Sequence, residues 1–328
     1  MGVEADVVTE GAAYLRIQLV GMVTMSFQMM AQAVMQASGD TITPMKIAVG
    51  TRLFHVLLCP FLVFGWWIFP QLGVSGAALT NVFSQGVAGG LGLWILYSGR
   101  TRLRLTFSDF HFDSNILWRI MKIGIPAIMN KTERTWASLL VMWFVVPFGT
   151  FAVAAHSLVE RIDRFIHMPA SGAGESAGVL AGQNLGAGLP ERAERTGWLA
   201  AGVVTGLMLI GSVVVWFWAE GVVGVFNKEP ELVEIASTFL RIAIISYLVF
   251  GLVQTLMHCL NGVGDTIIPM FVTLVTMWGV QMPLAYFLPR NINLGVYGVR
   301  WGIVSANVVR AVIYAIYFKL GWWKRKEI

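Results

Sequence analysis

Residues 200–218 read AAGVVTGLMLIGSVVVWFW, nineteen residues without one charged side chain. A run of that length and apolarity matches a bilayer core, which is about 30 Å thick and takes about 20 apolar residues as a helix. In lipid every backbone N–H and C=O needs an internal partner, so the run has to be helical. It is not isolated. Apolar stretches recur at 14–37, 44–66, 75–98, 119–146, 152–181, 197–219, 233–259, 268–288 and 297–318. Barrel strands would be short and alternating, which these are not. The chain is 56% hydrophobic and only 12% charged, against about 25% charge in an ordinary soluble domain. The expected class is an all-α polytopic membrane protein with nine spans.

The net charge of +5 could suggest nucleic acid, but its placement argues against that. Arg100, Arg102, Arg104, Arg119 and Lys122 cluster around one connection, Arg192 and Arg195 around another, and Lys319, Lys324, Arg325 and Lys326 form the tail. Alternating helices bring all three groups to one side. The opposite connections hold only Lys228, Arg290 and Arg300. This is the positive-inside pattern, which places the C-terminus in the cytoplasm and Met1 outside. Cys59 and Cys259 both fall in spans, so no disulfide framework is expected. The first residues, MGVEADVVTEGAA, lack the basic flank of a signal peptide.

The sequence also repeats itself. GDTITPM at 39–45 returns as GDTIIPM at 264–270, an offset of 225. YLRI at 14–17 returns as FLRI at 239–242, and LGVSG at 72–76 as LGVYG at 294–298. Six spans lie between the two heptads, so both face the same side and the repeat is parallel. Each heptad reads as a cytoplasmic turn. Gly39 and Gly264 permit a left-handed helix end, and Asp40 and Asp265 cap the next helix, with Pro44 and Pro269 in its first turn. The unit is about 225 residues and six helices. The expected organisation is three helices of an N-terminal lobe in 1–100, a cytoplasmic linker in 101–118 and a complete six-helix lobe in 119–328. The missing counterparts imply a further segment of about 110 residues and three helices before Met1, the alternative being a natural nine-helix protein.

The heptads, IGIPA at 123–127 and PASGAGESAGVLAGQNLGAGLPERAER at 169–195 resemble the multidrug and toxic compound extrusion (MATE) family over nearly the whole chain. The resemblance implies two six-helix lobes around a central cavity, cation-coupled antiport, and a chain holding helices four to twelve of twelve.

Ionisable residues inside spans are costly and mark transport pathways by default. Glu133 lies in the fourth span, and Glu160, Asp163 and Glu175 in the fifth. Spacing i,i+4 offers Glu160–Arg164 and Asp163–His167 as pairs, and Lys131 or Arg134 as alternative structural partners of Glu133. In the sodium-coupled branch of the family a helix-seven glutamate is a cation ligand. Glu133, seven residues after Pro126, stands at that position. The branch's helix-ten aspartate is absent here. YLVFGLVQTLMHCLNG offers Gln254 instead, leaving Asp163 or Glu175 as a second carboxylate.

Trp136, Trp143 and Phe144 share the helix of Glu133 and suit an amphipathic cation, or are ordinary lipid-facing residues. Pro126 and Pro169 predict helix kinks, and His156 a structural hydrogen bond. Gly174, Gly178 and Gly182, four apart, suit close helix packing rather than phosphate binding. No metal-ligand spacing, nucleophile motif or ATP-binding motif is present. The expected function is Na⁺- or H⁺-driven export of organic cations by alternating access. It needs no cofactor beyond the coupling ion, is exercised in the inner membrane and involves no nucleic acid. The expected full-length state is a monomer. A flippase for lipid-linked precursors, a membrane-embedded enzyme and a channel are the alternatives.

Overall fold

The computed structural model describes residues 5–101, 103–106, 112–292 and 294–325. Arg102, Lys326, Met1 and linker residues 107–111 lie outside the described residues. The described chain is helical: α1 (Ala5–Ala37), α2 (Ile42–Phe64), α3 (Gly73–Tyr97), α4 (Ser114–Val145), α5 (Thr150–Gly186), α6 (Pro190–Gly224), α7 (Pro230–Gly262), α8 (Ile267–Thr276), α9 (Met282–Asn291) and α10 (Tyr297–Leu320). A π-helical turn, Met277–Gln281, joins α8 to α9 without a loop. Each expected span coincides with one helical run. Among the described residues, seven runs are long and apolar enough to cross a membrane: α1, α2, α3, α6, α7, α8–α9 and α10. The other two, α4 and α5, are long enough but carry the charges singled out above.

The chain divides into two compact units, Met1–Phe112 and Asp113–Ile328. In the first, α3 packs against both α1 and α2, around Ala31, Met35, Ile47, Ala88 and Leu96. A Cβ on Gly92 would stand 2.8 Å from the Ala31 methyl, so glycine sets how closely α1 and α3 approach. In the second unit α7 is the central helix, packed on α5, α6 and α10. Large apolar side chains such as Val20, Trp67, Ile68 and Phe217 are exposed, which suits lipid contact rather than water.

The repeat is visible in local geometry. Gly39 and Gly264 both take left-handed conformations, with φ of 87° and 78°. Each donates to the carbonyl three residues back, and Asp40 and Asp265 donate to the carbonyls of Met35 and Leu260, five back. This closes orphan carbonyls at the helix end. Gly73 and Gly295, the glycines of the LGV motifs, share φ of 51° and 55°. Thr51 and Thr276, 225 apart, each bond the carbonyl four residues back at 2.7 Å. Asp40 accepts from the Thr43 N–H at 3.0 Å and its hydroxyl at 2.7 Å, so it caps α2 from one residue before the formal cap. Asp265 is fully buried and also accepts from the Tyr317 hydroxyl at 2.6 Å.

The two prolines expected to kink their helices do not interrupt them. Pro126 and Pro169 lie within α4 and α5, which run on unbroken. The breaks fall elsewhere. Trp218 leaves helical geometry inside α6 (φ −122°, ψ 22°), and the π turn precedes Pro283. Proline at 283 has no N–H to offer the Gly279 carbonyl, and a π turn is a common local remedy for such a lost bond.

Candidate functional site

Helix α4 begins at Asp113, whose carboxylate accepts from the N–H groups of Asn115 (2.8 Å) and Ile116 (3.3 Å). Its buried stripe is Asn130, Glu133, Ala137, Val141 and Val145, the three-and-four spacing of a packed helical face. A carboxylate therefore stands in a row otherwise filled, beyond Asn130, by small apolar residues. Glu133 is 9% exposed; the Trp278 indole is the side-chain donor that faces it, and no ion pair among the described residues includes it. The expected pairing with Lys131 or Arg134 is not made.

A cavity of about 440 Å³ opens beside this stripe and meets it at Glu133; it is lined by Ile128, Met129, Thr132, Glu133, Trp136, Leu140 and Trp278. Six of these belong to α4, and Trp278 comes from the π turn. The lining is one acid, one hydroxyl, two indoles and aliphatic surface. That chemistry suits an amphipathic cation, whose charge meets the carboxylate while its apolar part meets the rings. Asn130, one turn before Glu133, donates to the Thr273 hydroxyl of α8 at 3.1 Å, which fixes α4 on α8. From α10, the Arg310 Nε donates to the Thr276 hydroxyl at 3.0 Å.

The other sequence candidates lie outside this cavity. Trp143 and Phe144 pack on each other, with centroids 5.6 Å apart, and Phe144 meets Tyr286 of α9 at 6.2 Å. Gln254 is buried on α7 beside His258, 3.5 Å away. Asp163 does not pair with His167. It accepts from the Tyr247 hydroxyl and lies 3.4 Å from Arg300 Nη1. His167 instead stacks on Phe250, with centroids 3.7 Å apart. Glu160 does not pair with the Arg164 guanidinium, which donates to the Glu160 backbone carbonyl. Its carboxylate accepts from Ser138 of α4 at 3.2 Å and stands 3.6 Å from His156. The hydrogen bond expected of His156 is absent, as both ring nitrogens lack one among the described residues. Glu175 is exposed on α5.

Sequence reasoning missed Trp278, Thr276, Arg310 and Tyr247, and placed Arg300 in a connecting loop. Arg300 is instead buried in the first turn of α10, 5.2 Å from the Phe239 ring centre. The signal for Arg310 was available: it is a lone charge in the apolar run ANVVRAVIY.

These features define an all-helical, multi-pass membrane protein with a cation-suited cavity in its larger unit. The MatE family model matches residues 1–61 and 126–287, and the chain belongs to the MatE family of membrane transporters. It is 27% identical to a probable multidrug resistance protein, YoeA, of Bacillus subtilis, over all of this chain and 71% of that protein. It is 23% identical to a probable multidrug resistance protein, NorM, of Thermotoga maritima, over 99% of this chain and 70% of that one. Among solved structures, a MATE protein in a bent conformation superimposes with a TM-score of 0.89 at 21% identity, covering 98% of this chain and 70% of the other. A MOP superfamily transporter from Pyrococcus furiosus, described with a binding pocket of reverse polarity, superimposes with a TM-score of 0.92 at 20% identity. There the match covers all of this chain and 73% of the other.

Proposed function

We propose that the chain is part of a cation-coupled antiporter that exports amphipathic organic cations, with Glu133 receiving the coupling Na⁺ or H⁺ and the drug in turn. One observation carries this reading: a buried carboxylate with no ion-pair partner among the described residues, in the wall of an indole-lined cavity. Leaving such a group without a partner costs free energy, so a cation that supplies the partner binds well. Asp163, Glu160 and Glu175 were the other candidate coupling residues. Asp163 is occupied by Tyr247 and Arg300 and Glu160 by Ser138, which favours structural roles for both. Two lobes rocking about a central site give alternating access, with α4 and α5 also spanning to make nine spans, in the inner membrane with the C-terminus cytoplasmic. On the repeat, α1–α3 are three helices of one lobe and Asp113–Ile328 is the other, so transport belongs to a longer two-lobe protein working as a monomer without a cofactor. The relatives' multidrug names support drug-like substrates. The cavity lining includes no basic residue, which disfavours the anionic headgroup of a lipid-linked precursor.

The reading is tested by equilibrium binding of tetraphenylphosphonium to the full-length product of the reading frame. Glu133→Gln should weaken binding at least tenfold without lowering thermal stability, since an amide suits this pocket better than a bare carboxylate. Unchanged affinity in Glu133→Gln would remove the carboxylate from the site.

A further inference from the structure

Resting on the assignment of Glu133 as the cation-receiving carboxylate, we propose that Arg310 is a tethered counter-cation that competes with the transported cation for Glu133. Arg310 is 4% exposed, in the middle of α10. A buried guanidinium ordinarily has a carboxylate partner, yet no ion pair among the described residues includes it. Its Nε is held by the Thr276 hydroxyl, and its Nη2 has no hydrogen-bond partner among the described residues. Geometry brings Glu133 to the same level: Asn130, one turn before it, donates to Thr273, and Thr273 lies one turn before the Thr276 that holds Arg310.

The repeat shows that helix packing does not require an arginine here. At the offset of 222 that aligns LGVSG with LGVYG, Arg310 corresponds to Ala88, which is also buried. The threonine latch is common to both copies: Thr51 and Thr276 make the same bond to the carbonyl four residues back. Only in the second copy does an arginine rest on it. Thr276 is the last residue of α8 and adjoins the π turn that carries Trp278 into the cavity wall. Latch and wall therefore sit on one irregular element, the kind of local break found at functional sites.

Two arrangements follow. With the guanidinium on Thr276, as in the structure, Glu133 is open to a cation. With the guanidinium turned onto Glu133, the carboxylate is neutralised from within and the site is closed to cations. A bound drug or ion holds the first arrangement. Its release allows the second, so the empty transporter need not carry a bare buried anion through its return step. A ligand shifts such an equilibrium only by its differential affinity for the two states, and here that difference is direct competition for one carboxylate.

The test measures tetraphenylphosphonium affinity of the full-length product in nanodiscs, with triphenylphosphine oxide as an uncharged comparison. Arg310→Met should tighten cation binding at least tenfold. Thr276→Val, which frees the guanidinium from its latch, should weaken it several-fold. Both effects should vanish in a Glu133→Gln background, and the neutral ligand should respond to neither. If Glu133→Gln weakens binding while Arg310→Met and Thr276→Val leave it unchanged, or move both ligands alike, the tethered-cation proposal fails and the assignment of Glu133 stands. If Glu133→Gln has no effect, the assignment itself fails. Should Arg310→Met not yield folded protein, the near-isosteric Thr276→Val decides, and unaltered cation affinity overturns the proposal.

Discussion

Replacing Gly262 by alanine is expected to abolish accumulation of folded protein. Gly174, Gly178 and Gly182 of α5 face Gln254, His258 and Gly262 of α7, four residues apart on both helices. A Cβ on Gly178 would stand 2.5 Å from the His258 carbonyl oxygen, and one on Gly262 would penetrate the Gly178 carbonyl. Overpacking typically costs about 1–3 kcal/mol where side chains shift to make room. Here the obstacle is helix backbone on both sides, so relief requires α5 and α7 to separate along their whole contact. In lipid, where close backbone approach replaces much of the hydrophobic drive, that contact is a main source of association. The matched comparison is Gly206→Ala in α6, where an added Cβ meets nothing within 4 Å. It should be neutral or stabilise by about 0.5–1 kcal/mol through helix propensity. Detergent-solubilised yield and thermal unfolding measure both. Equal behaviour of the two variants would contradict the packing account.

Asp163→Ala is expected to be nearly as damaging, for an electrostatic reason. It leaves Arg300, 4% exposed, without the carboxylate 3.4 Å away, and removes the acceptor of the Tyr247 hydroxyl. Removing one partner of a buried pair costs about 3–5 kcal/mol, whereas replacing both by apolar groups is often close to neutral. Asp163→Ala should therefore lower thermal stability steeply, and Asp163→Ala combined with Arg300→Met should recover most of the loss. The repeat supports that recovery, because the counterpart of Arg300 at offset 222 is Ala78, fully buried without a charge. If the double variant regained stability but lost ion-dependent transport, Asp163 would take part in coupling after all.

The positions of the helices were legible because lipid imposes one rule on every span: about twenty apolar residues, helically hydrogen-bonded. The turns of the two heptads were legible because glycine at 39 and 264 marks a left-handed backbone that other residues adopt poorly. Glu133 stood out as a charge without an evident reason. Its surroundings did not, because Trp278 shares its cavity from the turn between α8 and α9, and Arg310 rests on Thr276 from α10, both more than 140 residues away in sequence. Pairings read from i,i+4 spacing failed for Asp163 and Glu160. Both side chains found partners on other helices, and a one-helix pattern carries no information about those. A helix with satisfied neighbours absorbs Pro126 and Pro169 without interruption, while the break that shapes the cavity lies just before Pro283.

Glu133 as the exchange point for drug and ion is measured most directly by gradient-driven flux. Proteoliposomes of the full-length product would be loaded with tetraphenylphosphonium and exposed to an inward Na⁺ gradient or an inward H⁺ gradient. One of the two gradients should drive efflux in the wild type. Glu133→Gln should abolish the gradient-driven part while the protein remains folded and monodisperse. Gradient-driven efflux of undiminished rate in Glu133→Gln would contradict the account.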